Sequence, residues 1–437
     1  MQVAIIHYHF DRGGVTQAVL NHLRGLASAQ LPIDKVMLVH GGRAGGLPLD
    51  LQSHINLPID VLTVDGLEYD ASPVDRSAEV APRIANLIQQ AGGSSDQTVL
   101  HVHNHSLGKN ASLPGVVRRL ADSGWGLLLQ IHDFAEDYRP QNYRMLIEAS
   151  DCRTPDQLES FLYPQADNIH YAVLTSRDAK LLESIGMQIE VIHRLPNSIQ
   201  HAGVDNIDPI EARRNVTRSL QLDFQTPLGM YPVRGIRRKN VGEMLLWSAV
   251  RNDINFAVTL APTTPVERKM YDMWSNFAAA RKLSAIFDAG EVEGVTLAEN
   301  SAAADFMFTS SVAEGFGMVF LESCLADRDL IGRDLPDVTT DFRSAGMNYP
   351  GLTESIFIPS DLLSISVMPQ IWEAYGAACG WLPDAFIDAL DLDNIDHAMP
   401  QPNIDFARLP VGTQAQLIAQ AAADRDRRAR SFKPILS

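Results

Sequence analysis

Short apolar runs alternate with longer helical patterns along most of this chain, and this alternation limits the possible folds more than any other feature. The run Val3–Tyr8 is followed by glycines and then by a helical pattern, and a second series of this kind begins at Leu228–Val233. Helices are predicted in the second series over Val241–Val250, Val266–Lys282, Leu297–Ala303 and Gly317–Leu325. Strands that alternate with helices form a doubly wound parallel sheet. The sequence therefore predicts an α/β protein with two Rossmann-like domains.

The length of 437 residues fits two domains, since one domain usually holds about 100–200 residues. We assign residues 1–198 to an N-terminal domain and residues 199–412 to a C-terminal domain. The last segment, residues 413–437, is predicted to be helical over Gln414–Arg430. Within residues 336–410 the alternation weakens and Asp, Pro and Asn are frequent, so we interpret this tract as a functional insertion.

Composition and charge exclude several classes of protein. Lys and Arg number 36 against 53 Asp and Glu, which gives a net charge of -17 and argues against nucleic-acid binding. No apolar run reaches the roughly 18 residues of a spanning helix, and the first residues do not resemble a signal peptide. The three cysteines lie far apart and match no metal-binding spacing, which is typical of free thiols in a reducing compartment. We therefore expect a cytoplasmic protein.

The most informative motif lies where a predicted strand ends and a helix begins. It reads Glu314-Gly315-Phe316-Gly317, and Glu322 follows about two helical turns later. The glycines expose backbone N–H groups at the positive end of the helix dipole, which suits a phosphate. Two carboxylates placed this way fit a nucleotide sugar, which has a hexose, a diphosphate and a ribose diol. A strand–turn–helix corner with solvated glutamates would explain the same spacing.

A basic turn follows the first predicted strand of the second domain. It contains Arg234, Arg237, Arg238 and Lys239. Ligands of doubly wound sheets bind at the carboxyl ends of strands, where such cations can neutralise a diphosphate leaving group. The alternative is a solvated basic turn without a ligand.

Glycines and histidines mark the first domain. The turn Gly13-Gly14 follows the first strand but does not match G-x-G-x-x-G, which argues against a dinucleotide site. His101, His103 and His105 alternate, so on a strand they would face one way and could bind a metal. Hydrogen bonding at a strand end would explain these histidines equally well.

Polar residues after two further strands are candidates for binding an acceptor. They are Asn104, Asp133 and Arg139, and they lie near His132 in the sequence. The pair Asp391 and Asp393 has the Asp-x-Asp spacing of metal-dependent sugar transferases, but no strand precedes it, so we discount it.

Together these motifs resemble the retaining glycosyltransferases of the GT-B fold, in particular family four, over roughly residues 1–335. The family's Glu-x7-Glu motif resembles Glu314 to Glu322. Other correspondences are the Gly-Gly turn, the cations after the first strand of the second domain, the histidine after a strand of the first domain and the interdomain Pro-Asn: Gly13-Gly14, Arg234, Lys239, His132 and Pro196-Asn197.

The resemblance implies a role for each matched residue. Glu322 would hold the ribose hydroxyls, and Glu314 would hold the hexose with backbone amides of the helix start. Arg234 and Lys239 would stabilise the departing diphosphate, and His132 would contact the transferred sugar. The full donor-binding set is Gly14, Gly315, Phe316, Gly317, Met318, Val319 and Glu322, and the catalytic set is Glu314, Arg234, Lys239 and His132.

The resemblance also implies a reaction and an architecture. Two Rossmann-like domains would face a cleft, and a hexose would pass from a nucleotide-diphosphate sugar to a small polar or carbohydrate acceptor with retained configuration. No metal and no cofactor would be needed. After Glu322 the family's Pro-Val-Ile strand and Gly-Gly-x-x-Glu loop are missing, so the chain represents a divergent branch.

Three alternative functions remain open from the sequence. One is another enzyme of this fold, such as a nucleotide-sugar epimerase or a phosphorylase, although no motif indicates the pyridoxal lysine that a phosphorylase would need. Another is a catalytically silent protein that binds nucleotide sugars. A nicotinamide-dependent oxidoreductase is the third, and the missing glycine fingerprint argues against it.

Overall fold

The computed structural model describes all residues except Gln30, Tyr138, 200–206, 360–362, 364–367, 391–402 and 424–437. The described chain divides into two compact units. The first contains Met1–Ser198 together with Trp381–Leu390, and the second contains the described residues of Ile199–Gly380 and Asp391–Ser437.

A parallel sheet forms the centre of the first unit. In the described residues its strand order is β3-β2-β1-β4-β5-β6-β7. The central strand β1 lies between β2, with Gln2 beside Lys35, and β4, with Gln2 beside Thr98. The strands are β1 (Gln2–Ile6), β2 (Lys35–His40), β3 (Ile59–Thr63), β4 (Thr98–His103), β5 (Gly126–Ile131), β6 (Ile169–Val173) and β7 (Ile192–Arg194).

Helices cover both faces of this sheet. Alternate residues of β1 enter different cores: Ala4 and Ile6 pack in one cluster with Ile84, whereas Val3 and Ile5 pack in another with Val19. Burial of both faces explains why these strands are continuous apolar runs. The helices are α1 (Gly14–Ser28), α2 (Leu51–His54), α3 (Ser77–Gln90), α4 (Leu113–Asp122), α5 (Pro140–Ala149), α6 (Pro155–Leu162) and α7 (Ser176–Ser184).

The second unit has its own parallel sheet, in the described order β10-β9-β8-β11-β12-β13. A separate antiparallel pair is formed by β14 and β15. The strands are β8 (Leu228–Arg234), β9 (Asn255–Leu260), β10 (Ala285–Ile286), β11 (Phe306–Thr309), β12 (Leu330–Arg333), β13 (Gly351–Thr353), β14 (Phe357–Pro359) and β15 (Asn403–Asp405).

The helices of the remaining chain include two whose predicted bounds, Val241–Val250 and Leu297–Ala303, match the structure. They are α8 (Pro209–Ser219), α9 (Val241–Val250), α10 (Pro265–Arg281), α11 (Leu297–Ala303), α12 (Met318–Leu325), α13 (Pro336–Ser344), α14 (Met368–Cys379), α15 (Asp384–Asp388) and α16 (Val411–Ala423). Short 3-10 turns lie at Ile189–Val191, Arg237–Lys239 and Phe406–Arg408. No described helix is long and apolar enough to cross a membrane.

The segment around α15 groups differently from the sequence-based division, which placed all of residues 199–412 in one domain. Phe386 of α15 is buried, and its ring lies 6.4 Å from the ring of Tyr143 in α5. The guanidinium of Arg144 lies 5.8 Å from the ring of Trp381. These aromatic contacts explain why Trp381–Leu390 belongs to the first unit.

The final described helix packs within the second unit. Leu417 and Ile418 of α16 are buried in the same core as residues of α9. A crossing of the end of this helix back to the first domain, which the resemblance implies as possible, stays a prediction. The remainder of the predicted helix Gln414–Arg430, and the pair Asp391 and Asp393, lie outside the described residues.

The divergent tract after Glu322 is anchored by a buried ion-pair network. Arg333, the last residue of β12, bonds to Glu243 of α9 at 2.5 Å and to Asp405 of β15 at 2.8 Å. Gly332 has φ +127, and an added Cβ would lie 1.9 Å from the carbonyl oxygen of Thr309. Part of what appears irregular in the sequence thus consists of strands joined through one arginine.

Candidate active site

The turn that begins α12 requires its second glycine. Gly317 has φ +76, a left-handed conformation, and an added Cβ would come within 2.5 Å of the ring of Phe320. The ring of Phe316 is buried against Phe342, with centroids 5.3 Å apart. With this geometry the backbone amides of Met318 and Val319 stand in the first turn of the helix, where N–H groups have no partner within the helix. No acidic side chain occupies that turn.

Glu314 lies just before this helix and is held by two cations. Its carboxylate is paired with the ammonium of Lys239, and its other oxygen lies 3.7 Å from Nη1 of Arg238. The hydroxyl of Ser311 donates to the same carboxylate at 2.6 Å. Burial raises the pKa of Glu314, but the charges of Lys239 and Arg238 and these hydrogen bonds outweigh it and lower the pKa below its ordinary value. Glu314 is thus a buried, ionised group.

The basic turn is fixed against the loop that follows β11. The hydroxyl of Tyr231 donates to the carbonyl of Lys239 at 3.1 Å and lies 2.6 Å from the hydroxyl of Ser311. The hydroxyl of Ser310 donates to the same carbonyl at 3.0 Å. Asn240, which opens α9, is left-handed with φ +49. The neighbouring strands β8 and β11 thus bring Lys239 to Glu314.

Glu322 lies further along α12 and is half-buried. Among the described residues its carboxylate has no hydrogen-bond partner. Burial raises its pKa to about 7, against the opposing charge of Lys239 and with a further contribution from Glu314. It is therefore a carboxyl group that is poised between its two protonation states near neutral pH.

Arg234 is the last residue of β8, at the end of a stretch where the strand pairing is irregular. Pro232 has no backbone N–H, and the pairing of β8 with β9 shifts between Tyr231 and Arg234. The guanidinium of Arg234 donates to the carbonyl of Ala261 at 2.6 Å. The structure therefore joins Arg238, rather than Arg234, to Lys239 and Glu314. The run of four basic residues contained that signal, but spacing alone did not distinguish among them.

In the first unit, Gly14 is the first residue of α1 and is exposed. An added Cβ would meet no atom within 4 Å, so the helix start does not require this glycine. Gly46 is the sterically required glycine here, since its Cβ would lie 2.5 Å from the backbone of Asp11. Gly46 was not predicted from the sequence, because it lies on the loop after β2 and not in the turn before α1.

His132 is buried after β5 and takes part in a histidine network. Its Nε2 lies 2.8 Å from Nδ1 of His103, and the two rings are stacked. Burial, with the nearby His22 and His101, lowers the pKa of His132 to about 3, so the imidazole is neutral. A neutral imidazole can exchange hydrogen bonds with a sugar hydroxyl.

Asn104 and the Asp133–Arg139 pair surround His132. Asn104 is left-handed with φ 55, and its side-chain oxygen accepts the N–H groups of His132 at 2.7 Å and Asp133 at 3.3 Å. Arg139 pairs with Asp133 at 2.8 Å. In this structure, therefore, the side-chain oxygen of Asn104 holds the loop after β5, and the carboxylate of Asp133 holds Arg139.

The histidines that could bind a metal in the structure are not the three that alternate in the sequence. Among the described residues, His22, His101 and His103 can each offer one ring nitrogen within 4.8 Å of the others. His105 is not part of this set, because the left-handed Asn104 interrupts the strand alternation, and His105 bonds to the carbonyl of Leu162 at 2.8 Å. His101 also lies 2.8 Å from the side-chain oxygen of Gln130.

The chain is similar to known proteins in sequence and in fold. No protein-family model matches the chain. The mannosylglucosyl-3-phosphoglycerate synthase of Petrotoga mobilis is 26% identical over 431 residues, which cover 96% of this chain and 81% of that protein.

Solved structures share the fold over nearly the whole chain. HepE from Anabaena, in complex with UDP and glucose, has a TM-score of 0.56 at 13% identity and covers 99% of this chain and 95% of its own. The sucrose-phosphate synthase of Thermosynechococcus elongatus has a TM-score of 0.55 at 15% identity, with coverages of 100% and 96%. These similarities confirm the GT-B fold that the sequence motifs predict. The relative from Petrotoga mobilis agrees with the predicted glycosyltransferase class.

Proposed function

We propose that this protein is a retaining, metal-independent hexosyltransferase that uses a nucleotide-diphosphate sugar and a small polar acceptor. The observation that carries the proposal is the arrangement of Lys239 and Arg238 around Glu314 at the start of α12. Two cations and one carboxylate meet there, beside the N–H groups of the first turn of α12. A diphosphate matches both features.

The donor would be oriented by the two carboxylates. Glu322, whose carboxylate has no hydrogen-bond partner among the described residues, suits the two vicinal hydroxyls of a ribose. The HepE structures contain UDP and UDP-glucose, which supports the choice of a nucleotide sugar. The relative from Petrotoga mobilis is named as a synthase of a mannosylglucosyl compound, which supports a hexose.

Stabilisation of the leaving diphosphate would supply most of the rate enhancement. In the proposed step the bond between the anomeric carbon and the diphosphate oxygen breaks, and a bond to the acceptor oxygen forms on the same face. The acceptor proton passes to the leaving phosphate. Lys239 and Arg238 would stabilise the negative charge that develops on the diphosphate, and Arg234 would be a further cation. Glu314 is already engaged by cations, which suits binding better than nucleophilic attack.

The first experiment is a thermal-shift screen against UDP, GDP and ADP and their hexose conjugates, followed by turnover measurements with the donor that binds. We expect one nucleotide to raise the melting temperature, with and without Mg²⁺. Glu322→Gln should remove most of this shift, while Glu293→Gln, an exposed control in the same unit, should retain it. Absence of a shift with every nucleotide would contradict the proposal.

A further inference from the structure

Two basic side chains lie over the ring of one tyrosine at the carboxyl edge of the first sheet, and the charge of a third acts on the same tyrosine. Arg43 follows β2, Tyr69 follows β3, Lys109 follows β4 and Arg139 follows β5. The strand order reverses between β1 and β4, and ligands of doubly wound sheets bind beside that reversal. The cluster therefore lies where this unit is expected to bind a ligand.

Two of these cations lie close to the aromatic ring itself. The Nζ of Lys109 is 5.4 Å from the ring centroid of Tyr69, and the Cζ of Arg43 is 5.5 Å from it. The hydroxyl of Tyr69 lies 3.0 Å from Nε2 of His9. The ring of Tyr69 therefore attracts both cations and keeps them beside it.

Hydrogen bonds between two loops fix the position of Lys109. The N–H of Asp70 donates to the carbonyl of Lys109 at 2.8 Å, and the N–H of Ala111 donates to the carboxylate of Asp70 at 2.7 Å. The side chain of Asn110 donates to the carbonyl of Glu68 at 2.7 Å. The loops after β3 and β4 are thereby joined on both sides of Lys109. These bonds hold the backbone of Lys109 without a ligand.

The charges of the cluster are only partly compensated. Arg43 pairs with Asp11 at 3.0 Å, and Arg139 pairs with Asp133 at 2.8 Å. Lys109 has no carboxylate within ion-pair distance among the described residues. Burial and the charge of Arg139 lower the pKa of Lys109, which indicates that its ammonium is poorly compensated by the protein. A half-buried cation of this kind is stabilised when an anion binds beside it.

We propose that Lys109, Arg139 and Arg43 form a subsite for a phosphate monoester carried by the acceptor. A phosphate monoester is a dianion with several acceptor oxygens, so it can accept hydrogen bonds from an ammonium and from guanidinium groups. That the phosphate monoester belongs to the acceptor follows from the proposed function. The anion subsite itself is inferred only from contacts within the first unit. The subsite would select phosphorylated acceptors over neutral ones.

The test is calorimetric titration of the full chain with glycerol 3-phosphate, 3-phosphoglycerate and glycerate. The two phosphate monoesters should bind, and glycerate, which has only a carboxylate, should bind much more weakly. Lys109→Met should weaken phosphate binding about tenfold to a hundredfold, as loss of a hydrogen bond between charged groups does. Lys180→Met, which removes an exposed charge from α7, should have no effect.

A second pair of variants guards against misfolding. Arg43 is exposed, so Arg43→Met should fold normally and weaken binding of the same monoesters, while Arg118→Met on the surface of α4 should not. Equal binding of the monoesters by all four variants, or tighter binding of glycerate than of the monoesters, would overturn the subsite.

Nucleotide binding separates the two proposals. The variants of Lys109 and Arg43 should bind nucleotide sugar as the unmodified protein does, because Lys239, Arg238 and Glu322, which would hold the nucleotide diphosphate, lie in the second unit. If the monoesters bind at Lys109 but no nucleotide sugar binds, the subsite stands and the proposed transferase reaction fails. If nucleotide sugars bind and no monoester does, the reverse holds.

Discussion

Glu314 and Glu322 share one motif but have opposite electrostatic environments. Two cations hold the pKa of Glu314 below its usual range, whereas burial raises the pKa of Glu322 to about 7. The difference follows from distance to Lys239, which pairs with the first glutamate only. Within the proposed function, Glu314 neutralises cations permanently, and Glu322 is free to accept hydrogen bonds.

The pH dependence of donor binding tests this assignment at the residue scale. An ionised Glu322 accepts hydroxyl hydrogen bonds better than a protonated one, so donor binding should favour loss of its proton. Affinity for the nucleotide sugar should therefore rise between pH 6 and pH 8, by up to about tenfold, since about a tenth of the carboxyl is ionised one pH unit below its pKa. Calorimetry at several pH values measures this rise. It should vanish in Glu322→Gln, and an unchanged pH profile in that variant would refute the assignment.

Stability and turnover separate two roles of Lys239. Lys239→Met leaves the buried carboxylate of Glu314 with only the more distant Arg238, and we expect a loss of about 3 kcal/mol in the free energy of unfolding. Turnover should fall as well. The double variant Lys239→Met with Glu314→Gln should regain most of the stability, because the uncompensated charge is gone, but it should not regain turnover. Urea denaturation and rate measurements on the same samples give both quantities.

A full return of turnover in the double variant would show that Lys239 serves only to neutralise Glu314. The leaving-group role would then need to be assigned to Arg238 or Arg234. A loss of turnover in both variants agrees with direct stabilisation of the diphosphate by Lys239.

At the scale of elements, glycines that look alike in the sequence differ in what they do. Both Gly14 and Gly317 lie at the start of a helix after a parallel strand. Only Gly317 is left-handed and tightly enclosed. The start of α12 thus requires glycine, because a larger residue at position 317 has no room. The start of α1 has no such requirement at Gly14.

Two alanine variants test this difference. Gly317→Ala should lower the free energy of unfolding by about 2 kcal/mol or more, since it adds both left-handed strain and a clash with Phe320. Gly14→Ala should change it by less than about 0.5 kcal/mol, because it adds no contact and improves helix propensity. Urea denaturation of both proteins measures the difference. Similar stabilities of the two variants would mean that the turn before α12 adapts freely.

The elements of the parallel sheets follow closely from the sequence, and the tract after Glu322 does not. The helices predicted over Val241–Val250 and Leu297–Ala303 have these bounds in the structure. The tract 336–410 contains short strands stabilised by long-range contacts such as Arg333 with Asp405. Short strands have too few residues to show a period, so local patterning could not identify them.

At the scale of the whole molecule, the chain has a net charge of -17, and its described residues include two local concentrations of positive charge. One surrounds Glu314 in the second unit, and the other surrounds Tyr69 in the first. Each lies after the carboxyl ends of parallel strands, where side chains from several loops can converge. The proposed reaction places an anion at each cluster, and the cations beside Glu314 would offset the charge of the diphosphate in place of a metal ion.

Removal of metal ions tests the metal independence of the proposed reaction. Protein dialysed against EDTA should transfer sugar at an unchanged rate, and added Mg²⁺ should not increase that rate. His22→Ala removes one of the three histidines that could hold a metal and should also leave the metal response unchanged. An EDTA-treated protein that is inactive until a divalent ion is restored would contradict metal independence.

The sequence by itself determined the α/β class, the doubly wound sheets and the motif from Glu314 to Glu322, because these depend on the local period of apolar residues and on residues near one turn. Only the tertiary structure decided which side chains meet. Lys239 reaches Glu314 because β8 and β11 are neighbours, and Lys109 reaches Tyr69 because two loops are hydrogen-bonded together. Such contacts depend on strand order, on the bulge at Pro232 and on left-handed residues such as Asn104. No local pattern specifies strand order or the path of a loop, so these contacts could not be predicted from the sequence alone.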